Sequence, residues 1–121
     1  MLAKKSSKTV ESTRVVIVGA GFVGATSAYA IMLQGIASEI VLIDVDKKKC
    51  EGEVLDLQHG ISFVPQVKIW SGDYADCRNA DIVVITAGLK QSEGQSRLEL
   101  AAANSKIISG IVRNIVKHTQ D

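Results

Sequence analysis

Val15-Val16-Ile17-Val18 is a run of apolar β-branched residues that stops at Gly19. A G-x-G-x-x-G follows, carried by Gly19, Gly21 and Gly24, and an apolar, helix-compatible segment runs on from Ala25 to Leu33. Strand, glycine turn and helix in that order form the context that a dinucleotide-binding fingerprint requires. In that setting Gly19 makes the tight turn off the strand, Gly21 lets the backbone approach a pyrophosphate, and Gly24 lets the helix pack close to the sheet. Free N–H groups at the helix start, at the positive end of its dipole, then face the phosphates.

Glycine turns also arise for purely structural reasons, so a second residue decides. Glu39-Ile40-Val41-Leu42-Ile43-Asp44 reads as a second buried strand ending in an acid. Asp44 lies 20 residues beyond Gly24, the offset at which the fingerprint places an acid. A carboxylate at that strand end accepts hydrogen bonds from the ribose hydroxyls of an adenosine and repels the 2′-phosphate of NADP, so NAD is the expected cofactor. The competing reading is that Asp44 only caps the following helix. Five features in register make the binding reading the stronger one.

A chain of 121 residues suffices for one domain with one core. Apolar residues make up 46% and charged residues 22%, as in soluble globular proteins. A net charge of +1 gives no nucleic-acid footprint. No apolar run approaches the ~20 residues of a membrane span. Met1 to Thr13 carries Lys4, Lys5 and Lys8 among serines and threonines and lacks the apolar centre of a secretory signal, so a mobile basic tail is expected there. Cys50 and Cys77 sit outside any C-x-x-C, which fits free thiols in a reducing cytoplasm.

Along the chain, Arg14 to Val18 is strand one and Phe22 to Gln34 helix one, with Ala25, Ala28 and Ala30 keeping it slim against the sheet. Gly35 is the expected stop. Ile40 to Ile43 is strand two, apolar throughout, as a parallel strand covered on both faces should be. Lys47 to Gln58 is helix two, with Val54, Leu55 and Leu57 as its apolar side, and His59-Gly60 ends it. Pro65 breaks the connection to strand three, Val67 to Trp70. A turn at Ser71–Tyr74 and a short helical turn at Ala75–Asn79 lead to strand four, Asp81 to Thr86, with Ile82 to Ile85 as a continuous buried run. A polar loop, Leu89 to Ser96, precedes a long helix from Arg97 to His118, whose Leu100, Ile107, Ile108, Ile111, Val112, Ile115 and Val116 recur at helical spacing. The expected fold is α/β: a Rossmann-type parallel sheet with helices on both faces and strand order 3-2-1-4. Gly19, Asp44 and Gly88 all follow strand ends, so they should line one edge, where the order reverses.

The loop after strand four is where a lid would sit. Arg97 opens the next helix, a position where the dipole favours acids rather than cations. A guanidinium there can polarise a carbonyl and stabilise a developing alkoxide; it can equally be a surface arginine paired with Glu93 or Glu99. Spacing leaves both open. Asp56 and His59, three apart on a helix, make at most a weak metal pair, so no metal is expected. His118 reads as a dipole partner near a helix end, and Trp70 as packing.

Taken together, Gly19–Gly24, Ile43-Asp44, Gly52–Gly60, Gly72–Cys77, Thr86-Ala87-Gly88 and Gly94–Leu98 resemble the bacterial-type NAD-dependent L-lactate dehydrogenases, within the lactate/malate dehydrogenase superfamily. The likeness runs from about Arg14 to Asn104. It implies cofactor contacts at Gly19, Gly21, Phe22, Val23, Gly24, Asp44, Lys49, Tyr74, Thr86, Ala87, Gly88 and Leu89. It makes Arg97 the mobile-loop residue that polarises the substrate carbonyl, and Gln91 the residue that discriminates substrates. Relatives with glutamine there prefer pyruvate, and those with arginine prefer oxaloacetate. Arginine binds the extra carboxylate bidentately, whereas a neutral amide leaves it unpaired. Without the resemblance Gln91 would read as a solvated loop amide. The helix carrying Asp56 and His59 is implied at a subunit contact, in full-length relatives that are homo-oligomers, tetramers by expectation.

Family members are considerably longer. Their catalytic histidine, its partner aspartate and the arginine that holds the substrate carboxylate come from a substrate domain with no counterpart here, and His59 and His118 do not match the histidine motif. Residues 14–121 are therefore expected to be part of an NAD-binding domain, inactive alone and prone to self-association through strand four. A malate dehydrogenase, or a non-catalytic dinucleotide-binding module, is the alternative.

Overall fold

Four short apolar segments build the sheet: β1 (Arg14–Val18), β2 (Glu39–Ile43), β3 (Lys68–Ser71) and β4 (Ile82–Ile85). In the computed structural model, which describes residues 13–61 and 66–119, they pair in the order β3-β2-β1-β4, all parallel. This is the Rossmann-type order expected. The connections are α1 (Phe22–Gln34), α2 (Lys47–His59) and a 3₁₀ helix (Tyr74–Asn79), and α3 (Arg97–His118) follows β4. Residues 1–12, most of the expected basic tail, and Pro65 lie outside the described residues.

Successive strand residues point to opposite faces, and two cores result. On one face Val15, Ile17, Ile40, Leu42 and Ile69 pack against Ala28 and Met32 of α1 and Cys50, Val54 and Leu57 of α2. On the other, Val16, Val18, Val41 and Ile43 pack against Cys77 and Ile111, with Trp70, Ile107 and Ile115 at the margin. Ile17, Ile40 and Leu42 are fully buried, each contributing ~1.5–3 kcal/mol.

Local chemistry fixes the ends. Gly35 adopts φ 64° and closes α1, a left-handed conformation that glycine takes without steric cost. Asp46 caps α2 by accepting the Lys49 N–H at 3.1 Å. Asp73 and Asp76 form a reciprocal capping box on the 3₁₀ helix, and Ser96 caps α3 through the Glu99 N–H. At the amino end of the sheet Arg14 bonds Glu39 at 2.9 Å and the Asp76 carbonyl at 3.1 Å, and lies over the Trp70 ring. Thr13 is tied down as well: its carbonyl accepts the N–H groups of Ser38 and Glu39.

Four expectations need correction. Strand three begins one residue later than expected and takes in Ser71. Leu55 is exposed while Val54 and Leu57 are buried, because residues three apart share a helix face and the one between points about 100° away. Ala30 is exposed for the same reason, whereas Ala28 meets the sheet. The run Ile82–Ile85 is not buried: β4 is an edge, Ile82 is 54% exposed, and the other three are half-buried.

Candidate functional site: a cleft at the carboxyl ends of the strands

The strands end at one side of the sheet in a cleft of about 760 Å³, within the roughly 300–1,000 Å³ usual for ligand sites. Of the expected cofactor residues, Gly19, Gly21, Asp44, Lys49, Tyr74, Thr86, Ala87, Gly88 and Leu89 line it. They come from four separate chain segments, gathered by the parallel order.

The glycine turn is built tightly. Gly19 has φ 112°, and its N–H continues the ladder to the Ile43 carbonyl at 2.7 Å. The Thr86 hydroxyl donates to the Gly19 carbonyl at 3.0 Å, pinning the turn from the β4 side. A Cβ on Gly24 would overlap the Gly19 carbonyl oxygen, so Gly24 serves the close approach of α1 to the sheet. Gly21 differs. Its φ is −74°, open to any residue, and an added Cβ would meet no protein atom within 4 Å. Neither backbone nor packing asks for glycine there, yet the position borders the cleft. That is the free approach a bound pyrophosphate needs, so the turn fits a dinucleotide. No side chain caps α1, in contrast to α2 and α3, and this leaves its first-turn N–H groups for a ligand.

Asp44 reaches across to this turn. Its Oδ2 accepts the Ala20 N–H at 2.7 Å and its Oδ1 the Asp46 N–H at 2.9 Å. The helix cap is Asp46 instead, so the capping alternative for Asp44 does not hold. A carboxylate has about four acceptor positions, and two backbone donors leave capacity for a diol. Tyr74, at the rim, has its hydroxyl pKa raised by burial, with smaller contributions from Cys77 and Asp44. Burial likewise raises the thiols of Cys50 and Cys77. Both cysteines are free.

Phe22, Val23 and Gly24 do not line the cleft, and the Phe22 side chain is 86% exposed. Gln91 and Arg97 are exposed and also lie outside it. The Gln91 amide donates to the Gln95 carbonyl at 2.7 Å, and Ser92 N–H donates to the Gln95 side chain at 2.9 Å, so the loop bonds to itself. Among the described residues Arg97 forms no ion pair, with Glu93, Glu99 or any other acid. Asn104 accepts the Leu89 N–H at 2.7 Å and fastens the loop's first residue to α3. Neither histidine lines the cleft.

Sequence reasoning missed a whole wall. Lys106, Ile107, Gly110, Ile111 and Asn114 of α3 line the cleft, as do Val45, Lys47, Gly72 and Asp73. Val45 follows the strand-end acid directly, a signal that was available. The α3 residues share one stripe, but helical periodicity marks Ile107 and Ile111 only as core. Among the described residues no helix is long and apolar enough to cross a membrane, and no cluster of three metal-ligating side chains occurs.

Comparison with known proteins agrees with this geometry. The family described as lactate/malate dehydrogenase, NAD binding domain, matches residues 13–121. An L-lactate dehydrogenase of Acetivibrio thermocellus is 53% identical over 108 residues, covering 89% of this chain and 34% of that protein. One from Clostridium botulinum, strain Loch Maree, is 52% identical over 114 residues, covering 94% and 36%. The solved structure of the minor L-lactate dehydrogenase from Enterococcus mundtii in its ligands-bound form superposes with a TM-score of 0.88 at 47% identity, over 91% of this chain and 35% of that one. The chain thus spans about a third of the length of the curated relatives it matches. It belongs to the lactate/malate dehydrogenase family and represents that family's NAD-binding domain.

Proposed function

We propose that the chain is the cofactor-binding part of an L-lactate dehydrogenase, which reduces pyruvate to L-lactate with NADH. The observation that carries the reading is the pairing of an unfilled approach at Gly21 with the Asp44 carboxylate in one cleft. Gly19 and Gly21 cradle the pyrophosphate, with the backbone N–H groups of Phe22, Val23 and Gly24 at the start of α1 as donors. That role needs no side chain, which fits the outward-facing Phe22 and Val23. Asp44 accepts the ribose hydroxyls and disfavours a 2′-phosphate. Lys49, Tyr74, Thr86, Ala87, Gly88 and Leu89 form the remaining walls.

Bound NADH supplies the hydride that the carbonyl carbon accepts. Lactate formation also needs a proton on the carbonyl oxygen and a clamp on the carboxylate. Arg97 polarises the carbonyl once the loop 89–96 folds over the cleft, and an unpaired guanidinium is free for that task. Gln91, neutral, leaves no partner for a second carboxylate and so favours pyruvate over oxaloacetate. Neither His59 nor His118 lines the cleft, so this part supplies no histidine proton donor there and should show no turnover by itself. The two buried free thiols fit a cytoplasmic setting, and the exposed apolar residues Tyr29, Leu33, Ile36 and Leu55 on and beside α1 and α2 fit a homo-oligomeric enzyme.

The test has two arms. NADH titration of this chain should show saturable binding. A longer chain carrying the rest of the enzyme should turn over pyruvate well above oxaloacetate, and Arg97→Ala should abolish it. An extended chain that prefers oxaloacetate overturns the lactate assignment.

A further inference from the structure

Gln95 ties the loop 89–96 to itself through both its backbone and its side chain. Its N–H donates to the Ser92 carbonyl at 3.0 Å, its Oε1 accepts the Ser92 N–H at 2.9 Å, and its carbonyl accepts a hydrogen bond from Gln91 Nε2 at 2.7 Å. The first of these closes a turn over Ser92–Gln95, whose third residue, Gly94, has φ 78°. A Cβ on Gly94 would meet no atom within 4 Å. Glycine therefore stands there for the backbone, since a turn with positive φ at its third residue favours it. The ends of the loop are fastened separately, the Leu89 N–H to Asn104 at 2.7 Å and Ser96 to the Glu99 N–H at 3.1 Å. Residues 91–95 thus form one knot between two anchors.

The knot bears on how Gln91 turns away a second carboxylate. Neutrality goes only part of the way. A primary amide carries two N–H donors, and a side chain free to turn offers them to an anion. In the knot one N–H of Gln91 is already given to Gln95, and the amide is held against its own turn. A second carboxylate gains that amide only by drawing it off the Gln95 carbonyl. A methyl group asks for no donor.

We infer that Gln95 is a positioning residue for substrate choice: it keeps the Gln91 amide on the loop, so that a 2-oxo acid ending in a methyl group is taken and one ending in a second carboxylate is not. The inference rests on the role proposed for Gln91 above. Because the bonds lie within residues 91–95, the arrangement travels with the loop when it folds over the cleft.

The test uses the longer chain that carries the rest of the enzyme, with pyruvate and oxaloacetate as separate substrates. Gln95→Met removes the acceptor for the Ser92 N–H at similar side-chain length, and Gly94→Ala strains the turn. Each should lower the pyruvate-to-oxaloacetate ratio of kcat/KM by about fivefold, the scale of one neutral hydrogen bond, chiefly through a lower KM for oxaloacetate. Gln95→Glu keeps an oxygen for the Ser92 N–H and should hold the ratio at or above the wild-type value. In the present chain, the NMR signals of the Gln91 side-chain amide should move toward those of a solvated amide in Gln95→Met and Gly94→Ala. Unmoved amide signals, an unchanged ratio in both variants, or equal losses with both substrates overturn the inference while the lactate reading stands. A wild-type enzyme that prefers oxaloacetate overturns that reading and the inference with it.

Discussion

The Asp44 carboxylate accepts the backbone N–H of Ala20 at 2.7 Å across 24 residues of chain. The acid at the end of β2 thereby fastens the glycine turn at the end of β1, and both strands deliver their last residues to one cleft. The carboxylate is held by a second donor, the Asp46 N–H, so it is oriented before any ligand arrives. Asp44→Ala should weaken NADH binding by about 10- to 100-fold, the equivalent of one or two charge-assisted hydrogen bonds. It should also narrow the gap between NADH and NADPH, because the charge that repels the 2′-phosphate is gone. Fluorescence titration of both cofactors decides; wild-type NADH affinity in the variant would show that the ribose does not rest on this residue.

Two glycines of the same turn should respond oppositely to alanine. At Gly24 a Cβ would overlap the Gly19 carbonyl oxygen, so Gly24→Ala must push α1 off the sheet and should cost at least ~3 kcal/mol, with urea unfolding as the measure. At Gly21 the same change meets no protein atom. Gly21→Ala should leave the urea midpoint in place and weaken NADH binding at least ~10-fold. Equal losses of stability in the two variants would contradict the distinction.

The sheet order and the glycine turn were legible because local signals carry them. A β-branched run stopping at Gly19, the acid after β2 and the left-handed cap at Gly35 each depend on a few neighbouring residues. The α3 wall of the cleft was not legible. Lys106, Gly110 and Asn114 reach it only because α3 crosses beside the 3₁₀ helix, a relation between segments about 30 residues apart that periodicity does not encode. The burial of Ile82–Ile85 was misread from the run itself, because an apolar run reads alike at the centre and at the edge of a sheet; the strand order, which leaves strand four at an edge, is what exposes it. Arg97 stood out by its place at a helix start and Gln91 by resemblance; both lie outside the cleft, Gln91 in a loop bonded to itself through Gln95.

Arg14 works at the opposite end of the sheet from the cleft. It joins Glu39 of β2, the Asp76 carbonyl of the 3₁₀ helix and the Trp70 ring of β3. Its side chain is only 16% exposed, so the interactions are poorly screened. Arg14→Ala should cost about 2 kcal/mol, as expected for lost hydrogen bonds to a charged group plus a stacked ring. NADH affinity should stay within about twofold of wild type. A parallel loss of cofactor binding would mean that strand register, and not only stability, depends on this clamp.

Stability should fall on the alkaline side. Burial raises Cys50 above the ordinary thiol value of 9.0, with the nearby Asp44 and Glu51 adding to it and the Ser71 hydrogen bond opposing. Burial, then Asp76 and Asp73, raises Cys77. Burial also raises Tyr74 from 10.0. A group that gives up its proton later in the folded state stabilises fully below its unfolded pKa and loses that contribution as pH climbs through the folded one. The decline should therefore begin near pH 9, at up to ~1.4 kcal/mol per pH unit for each group. Replacing both thiols, Cys50→Ser with Cys77→Ala, should flatten the decline between about pH 9 and 10. Urea midpoints measured across that range would settle it, and an unchanged slope in the double variant would exclude the thiols as the cause.

The two edges of the sheet are unequally defended. β3 opens with an exposed Lys68, a charge that discourages further pairing. β4 reads Ile82-Val83-Val84-Ile85, pairs only with β1 among the described strands, and leaves Ile82 half in solvent. An uncharged apolar edge is a template for a strand from another chain. This chain on its own should therefore self-associate as its concentration rises, with sedimentation velocity showing the mean coefficient falling on dilution over a roughly tenfold range. Ile82→Lys places a charge on that edge, at a side chain that packs little, and should restore a monomer without lowering the melting temperature. A wild-type chain that sediments as a single monomer throughout would show that β4 is no such template.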